Sequence, residues 1–324
     1  MPKVSVIIPN YNHARFLDQR ILSVLGQTYR DMEVLILDDA STDNSISIID
    51  KYRGDPRVRI VVNKTNSGSP FPQWNLGVKL ACGEYIWIAE SDDDAEPELL
   101  ETLVHQLDNH PSVVLAYCQS WVMDGHGGRL NTPLSWNDNL DSKRWKSSFQ
   151  NDGSDEVRRY LIFQNTIPNA SAVVFRRSVF LEVGGAPTNM RLCGDWMTWV
   201  LIALKGDIAL ISTPLNLFRT HPGTVRSSIP RVVQLEEWSR IVKTIKDNLF
   251  IPFDVRRKLA IGLLDQWRTL FRTYPHPVAF STAFNCGLLM RWADPIVAVK
   301  FLWFFLLYSV RRSIYLCRAI FGDR

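Results

Sequence analysis

Four short apolar runs, VSVIIP (4–9), EVLILDD (33–39), VRIVVN (58–63) and EYIWIAE (84–90), alternate with segments of helical length. Runs this short, nearly continuous and rich in β-branched residues suit strands of a parallel sheet buried on both faces. Between them, FLDQRILSVLGQ, NSISIIDKYRG and QWNLGVKLACG carry apolar residues at helical spacing, and two of the three end in glycine. The alternation predicts a doubly wound α/β domain, with ELLETLVHQLDNHP as a further helix that has Pro97 near its start and Pro111 after its end.

The polar residues that close each run share one consequence. Pro9, Asn10, Tyr11 and Asn12, then Asp38 and Asp39, then Asn63, then Glu90, Ser91, Asp92 and Asp93 all fall at carboxyl ends of strands. In an open parallel sheet those ends line one crevice, where ligands bind. The stretch IAESDDDAEPELL (88–100) therefore gathers Glu90, Asp92, Asp93, Asp94 and Glu96 at a crevice edge. Their mutual repulsion is unfavourable unless solvent or a cation neutralises it. Acids favour helix N-termini, which accounts for Asp94 and Glu96 but not for Asp92 and Asp93 at a strand end. Hard oxygen ligands suit Mg²⁺ or Mn²⁺, ions that take one or two protein carboxylates and complete their shells with phosphate oxygens and water.

The 324 residues, 46% hydrophobic and 22% charged, suffice for one large core and an accessory region. Up to residue 230 there are 22 basic and 26 acidic residues, net −4; beyond it there are 15 and 7, net +8. The aromatic and aliphatic content of the basic part favours anionic lipid over nucleic acid. Five cysteines without a CxxC pair argue against a disulfide framework or a zinc site and fit a reducing compartment. The apolar run after Lys3 stops at Pro9, too brief for a secretory signal, so the N-terminus is expected to belong to the fold.

From Asp124 to Glu156 the chain is polar, Gly/Asn/Ser-rich and carries Trp136 and Trp145. An irregular stretch of this length is expected to be an acceptor-binding loop or a plain surface insertion. SAVVFRR reads as a strand, CGDWMTWVLIALKG as a helix and IALISTPLNLFRTH as a strand with its exit. Residues 1–221 are thus expected to form the α/β domain, 222–232 a linker, and 233–324 a basic, aromatic-rich helical region. Within the last, PIVAVKFLWFFLLYSV (295–310) contains Lys300 and, at 16 residues, is shorter than a bilayer-spanning helix. It reads either as an interfacial helix on a membrane or as a helix packed on the α/β domain or a second subunit.

VSVIIPNYNHARFLDQRILSVLGQTYRDMEVLILDDASTDNS, then NSGSPFPQWNLGVKLACGEYIWIAESDDDAEP and GDWMTWVLIAL, together resemble the family two glycosyltransferases over residues 4 to about 221. The resemblance implies a GT-A fold, an α/β, Rossmann-like, doubly wound and mostly parallel sheet, here followed by a C-terminal helical region. It implies a catalytic domain over residues 1–221 whose donor site, for a nucleotide diphosphate sugar, takes in Pro9, Asn10, Tyr11, Asn12, Asp38, Asp39, Asn66, Trp74, Asp92 and Arg219. Asp38 and Asp39 would hold base and ribose, although one of the two could instead cap the next helix. Tyr11 would pack on the base or in the core. Asp92 and Asp93 match the Asp-x-Asp element and, with His221, would hold Mn²⁺ or Mg²⁺.

Two departures mark this chain. Glu90 stands where the family commonly has its first aspartate, and its role is left open. Trp74 stands in QWN where many relatives have arginine, which removes a guanidinium clamp and leaves the nucleotide preference open. Asp195, at the start of a helix after a Gly-containing loop, is the implied general base; as a bare aspartate it is equally an N-cap. Trp196 or Trp199 could stack on a sugar face or be buried. Arg219, His221 and Arg226 in FRTHPGTVR would offer donors to a departing diphosphate or sit in a surface loop. His13, His105, His110, His126 and His276 show no ligand spacing.

The implied activity is inverting, metal-dependent transfer from a nucleotide diphosphate sugar to a glycan or lipid-linked acceptor, in bacterial surface polysaccharide or lipid-linked glycan synthesis. The expected location is cytoplasmic, with the inner face of the cell membrane as a peripheral docking surface. A membrane surface and a second copy of the chain are candidate partners, and nucleic acid is not expected. A noncatalytic carbohydrate-binding or scaffolding protein is the alternative, disfavoured by the presence of both aspartates and the base. A sugar-nucleotide pyrophosphorylase would need a Gly-rich basic loop after the first strand, and PNYNHARF has no glycine; a dinucleotide dehydrogenase would need GxGxxG there.

Overall fold

The computed structural model describes residues 1–133, 136–167, 169–221, 229–273 and 280–321. The chain forms two compact units, Met1–Leu161 with Asn165–Ser227, and Ile162–Gln164 with Ser228–Arg324.

In the first unit the expected alternation is present: β1 Val4–Asn10, α1 Ala14–Leu25, β2 Met32–Asp38, α2 Ser45–Ile49, β3 Val58–Val62, α3 Pro70–Leu80 and β4 Tyr85–Ile88. Strands β3, β2, β1 and β4 lie side by side in that order, all parallel. Why β1 is apolar at nearly every position follows from what covers it. Val4, Val6 and Ile8 share a core with Leu17, Ile21 and Val24 of α1 and with Leu99 to Leu107 of α4 (Leu99–Asn109). Ile7 points the other way, where α3 approaches so closely that a Cβ at Gly77 would meet the Ile7 side chain at 2.6 Å. Each such fully buried aliphatic side chain contributes roughly 1.5–3 kcal/mol.

The remaining strands are β5 Asp94–Ala95, β6 Val113–Met123, β7 Arg129–Pro133, β8 Phe149–Asn151, β9 Val173–Arg176 and β10 Asp207–Arg219. The sheet continues from β4 to β9, β6 and β10, with β9 antiparallel to both β4 and β6, and with β6 parallel to β10. The sheet is therefore parallel on one side and mixed on the other. The direction of β9 matters for the site. Because it runs against its neighbours, its amino end, not its carboxyl end, meets the crevice edge where β1, β2, β4, β6 and β10 finish.

The stretch 124–156 differs from the irregular loop expected of it. It holds β7, β8 and the short helix α5 Gly153–Glu156, and β8 pairs with β10. Trp145 is buried and its Nε1 donates to Tyr117 Oη at 3.1 Å. Arg144 lies over the rings of Phe149 and Tyr160 and bonds the buried carboxylate of Glu156. Polar composition misled here because much of that polarity is paired internally. Helices α6 Arg177–Glu182 and α7 Gly194–Ala203 complete the unit.

The second unit is helical: α8 Arg231–Asn248, α9 Phe253–Thr273, α10 Phe280–Ala293 and α11 Pro295–Phe321. Leu263, Trp267, Met290 and Phe301 are among its buried residues, with Trp267 and Phe301 edge to face at 5.6 Å. Of the expected linker, residues 222–228 lie outside the described residues, and Arg231 and Val232 already belong to α8. Among the described residues no helix is long and apolar enough to cross a membrane.

Candidate active site

The register of the parallel strands sets Asn10 beside Asp38 at the crevice edge. Asn10 Nδ2 donates to Asp38 Oδ2 at 2.8 Å and to Ser41 Oγ at 3.1 Å, while Asp38 Oδ1 accepts from the Ser41 amide at 2.9 Å. Asn12 adopts a left-handed backbone, φ 57°, a conformation asparagine tolerates, and its Oδ1 accepts from the Thr42 amide at 2.8 Å. These bonds tie the exit of β1 to the exit of β2. Asp39 is 3% exposed; its oxygens accept from Asn63 Nδ2, Gln73 Nε2, the Ser67 amide and Ser67 Oγ. The acidic pair therefore orders the rim, including the loop that carries Asn66, whose side chain bonds Asp39 O and the Gly68 amide. Tyr11 is exposed at this edge, a flat apolar face offered to solvent.

The turn after β4 sorts its carboxylates by depth. Asp93 is 3% exposed, with Oδ2 accepting from Asn169 Nδ2 at 2.9 Å and Ser171 Oγ at 2.7 Å, and Oδ1 from the Arg219 amide at 3.0 Å. Asn169 and Ser171 are there because β9 presents its amino end. Burial, and then the Asp92 charge, push the Asp93 carboxyl up to about 6. Glu90 accepts from Trp74 Nε1 at 2.9 Å and is pushed up to about 8, by burial first and by Asp92 second. Asp92 keeps its side chain 21% exposed. Burial opposes its ionisation, but the hydrogen bond from His221 and the nearby His13 more than offset that, leaving its carboxyl below the usual range. The Asp92 carboxylate thus faces the crevice, with Asp93 buried behind it and Glu90 turned to Trp74.

Buried cations brace this turn. Arg20 donates from Nε to Glu90 O at 2.9 Å, and its Nη1 and Nη2 have no hydrogen-bond partner among the described residues. Its charge offsets Asp93, Asp94, Asp92 and Glu90 without neutralising any one of them. Arg219 is 2% exposed and donates to Asp92 O at 2.6 Å, Asp124 O at 3.2 Å and Gln19 Oε1 at 2.8 Å. Expected as a donor to the diphosphate, it instead fixes the backbone of the acidic turn. Trp74, expected in the donor site, is 1% exposed and reaches the crevice only through Glu90.

His221 Nε2 lies 3.1 Å from Asp92 Oδ2, and its Nδ1 is buried without a partner among the described residues. His13, at the start of α1, stands across from it with ring centroids 6.0 Å apart, and its Nδ1 meets Ser91 Oγ at 2.8 Å. Ligand atoms of His13, Asp92 and His221 all lie within 4.8 Å of one another. Burial holds the His13 imidazole below its ordinary range, which favours the neutral ring a cation needs. The donor set therefore fits a divalent ion. Sequence reasoning missed His13 because its partners are 78 and more positions away; its only signal was its place directly after the polar exit of β1.

Asp195 opens the first turn of α7, where a Cβ at Gly194 would strike the Phe71 ring at 2.5 Å; glycine lets the helix end press onto α3. Asp195 Oδ2 accepts from Asn165 Nδ2 at 3.0 Å. Asn165 and Asn169 thus connect the general-base candidate and Asp93 through one short segment. Trp196 and Trp199 are both buried, Trp196 donating to Leu161 O and Trp199 packing on Trp74, so neither offers a sugar platform.

Comparison with known proteins places the chain among glycosyltransferases. The profile described as "Glycosyl transferase family 2" matches residues 5–184. Glycosyltransferase GlyG of Streptococcus pneumoniae serotype 4 is 40% identical over 105 residues, 32% of this chain and 35% of that protein. The chain spans 20% to 44% of the length of the first curated relatives it matches. Among solved structures, S. aureus TarS 1–349 in complex with UDP-GlcNAc superposes with a TM-score of 0.67 at 19% identity, covering 91% of this chain and 82% of that one. The mannosyltransferase PcManGT from Pyrobaculum calidifontis, in complex with GDP-Man and Mn²⁺, gives 0.59 at 16% identity, covering 100% and 88%. The first unit has the GT-A fold, with a C-terminal helical region.

Proposed function

This chain belongs to glycosyl transferase family 2, and from that premise we propose that it transfers a sugar, with inversion, from a nucleoside diphosphate sugar to an acceptor hydroxyl. The observation that carries the reading is the pairing of Asp92 Oδ2 with His221 Nε2, 3.1 Å apart, where the strands end. A divalent cation held by these side chains would supply positive charge to the leaving diphosphate. Mn²⁺ and Mg²⁺ are the ions to test first. Tyr11 offers its exposed ring to the base, and the Asn10, Asn12, Asp38, Asp39 and Asn66 network keeps that rim in shape. Asp195 takes the proton of the acceptor hydroxyl, with Asn165 orienting the carboxylate. Positioning and electrostatics supply most of the acceleration.

The donors seen in the structural neighbours, UDP-GlcNAc and GDP-Man, head the list of substrates. The acceptor class is a growing surface polysaccharide or a lipid-linked glycan on the inner face of the membrane. The helical unit supports that placement. On α11, Ile296, Val299, Leu302, Trp303 and Leu306 form an exposed apolar stripe at helical spacing, beside exposed Lys300, in a part of the chain with net charge +8. The test is a panel of UDP- and GDP-sugars with Mn²⁺ or Mg²⁺, scored by nucleoside diphosphate release. Release that needs a divalent ion and is lost in Asp195→Asn supports the reading, and no release from any donor opposes it.

A further inference from the structure

We infer that His13 is the third protein ligand of the cation centre, so that the ion is held by two imidazoles and one carboxylate while Asp93 serves as an internal anchor. The inference rests on the transferase reading only for the existence of a cation; which side chains hold it follows from the geometry.

Four observations lead there. First, His13, Asp92 and His221 bring their ligand atoms within 4.8 Å of one another. Second, His13 is set in place: its Nδ1 meets the Oγ of buried Ser91 at 2.8 Å, which leaves Nε2 for another partner, and its ring packs edge-on against Phe16 at 6.0 Å. A metal-bound histidine is commonly oriented through its other nitrogen in this way. Third, Phe16 lies under His221 as well, at 5.0 Å, so one aromatic ring aligns both imidazoles. Fourth, Asp93 already accepts three hydrogen bonds and is 3% exposed. Turning it toward the ion would leave Asn169, Ser171 and the Arg219 amide unpaired in the interior, each a loss of about 1–3 kcal/mol.

The chemical consequence is ion preference. Imidazole nitrogen suits later first-row ions, whereas Mg²⁺ prefers oxygen, so this set favours Co²⁺ over Mn²⁺ and both over Mg²⁺. The direct test is calorimetric titration of the chelator-stripped full chain with Co²⁺ and with Mg²⁺, without donor. Tighter Co²⁺ binding in wild type, weakened about tenfold or more in His13→Ala at unchanged melting temperature, is expected. Ser91→Ala, which removes only the orienting hydroxyl, is expected to weaken it less. Pulsed EPR of the wild-type Mn²⁺ complex, which needs no variant, is expected to show two imidazole nitrogens. A single nitrogen, unchanged Co²⁺ affinity in His13→Ala, or no binding by the donor-free chain would overturn the inference. Donor turnover is scored apart. Two bound imidazoles in a chain that releases no nucleoside diphosphate would refute the transferase reading alone, and turnover indifferent to His13→Ala with a single nitrogen would refute this inference alone.

Discussion

The indole Nε1 of Trp74 donates to Glu90 Oε1 at 2.9 Å, joining the two positions at which this chain departs from the usual motifs of its family. Trp74 packs between Phe71 and Trp199, so its ring is fixed and its donor is aimed. Trp74→Phe keeps most of that packing and removes the donor from a half-buried carboxyl. A stability loss of about 1–3 kcal/mol is expected in urea unfolding, and a loss below the error of the fit would show the bond to be incidental.

The same carboxyl gives a pH dependence. Glu90 is pushed up from 4.5 to about 8, by burial and then by Asp92 and Asp93, against the opposing Trp74 bond and Arg20. The folded state thus binds this proton more tightly than the unfolded chain. Its contribution is complete below about pH 4.5 and is lost as the pH rises through about 8. In the presence of chelator the melting temperature is expected to fall less steeply between pH 5 and 8, as a rough working window, in Glu90→Gln than in wild type. Parallel curves would contradict it.

Asp195→Asn is expected to lower kcat by about 100- to 10,000-fold while leaving donor affinity unchanged, since it removes a proton acceptor and little else. Pre-steady-state donor binding and nucleoside diphosphate release separate the two. Turnover near wild type would leave Asp195 as a first-turn acid that holds Asn165, since the N-cap of α7 is Cys193.

Arg144 and Glu156 form a buried pair with Glu156 fully covered. Arg144→Met leaves that carboxylate without its cation, though still bonded by Asn151 Nδ2 at 2.9 Å, and is expected to cost about 3–5 kcal/mol, much of it recovered by adding Glu156→Gln. Equal stability of the single and double variants would show the pair to be neutral.

The apolar stripe of α11 is tested by Leu302→Glu with Leu306→Glu. Co-sedimentation with phosphatidylglycerol vesicles is expected in wild type, weaker at high salt, and lost in the double variant without a change in melting temperature. Vesicle binding that survives both changes would place the contact elsewhere.

What could be read from the residues alone divides along physical lines. Strands β1 to β4 and their helices were legible because burial on both faces writes an apolar run, and the exits of those strands placed Asp92 at an edge. The direction of β9 was not, because an apolar run carries no sign of its orientation, and with it went the bonds that Asn169 and Ser171 make to Asp93. Arg219 was read as a donor to ligand because its charge is visible in sequence, while its partners, the carbonyls of Asp92 and Asp124, have no signature there. His13 belongs to the same class: its neighbours Asp92 and His221 are brought to it by three separate strand ends.

The transferase proposal turns on a divalent ion at Asp92 and His221 that joins this crevice to a diphosphate. Calorimetric titration of UDP and GDP into the chelator-stripped chain, with and without Mn²⁺, measures that directly in wild type and Asp92→Asn. Mn²⁺ is expected to tighten binding of one nucleotide by about tenfold or more in wild type and to have no effect in the variant. Binding equally tight with and without the ion, and unmoved by Asp92→Asn, would contradict it.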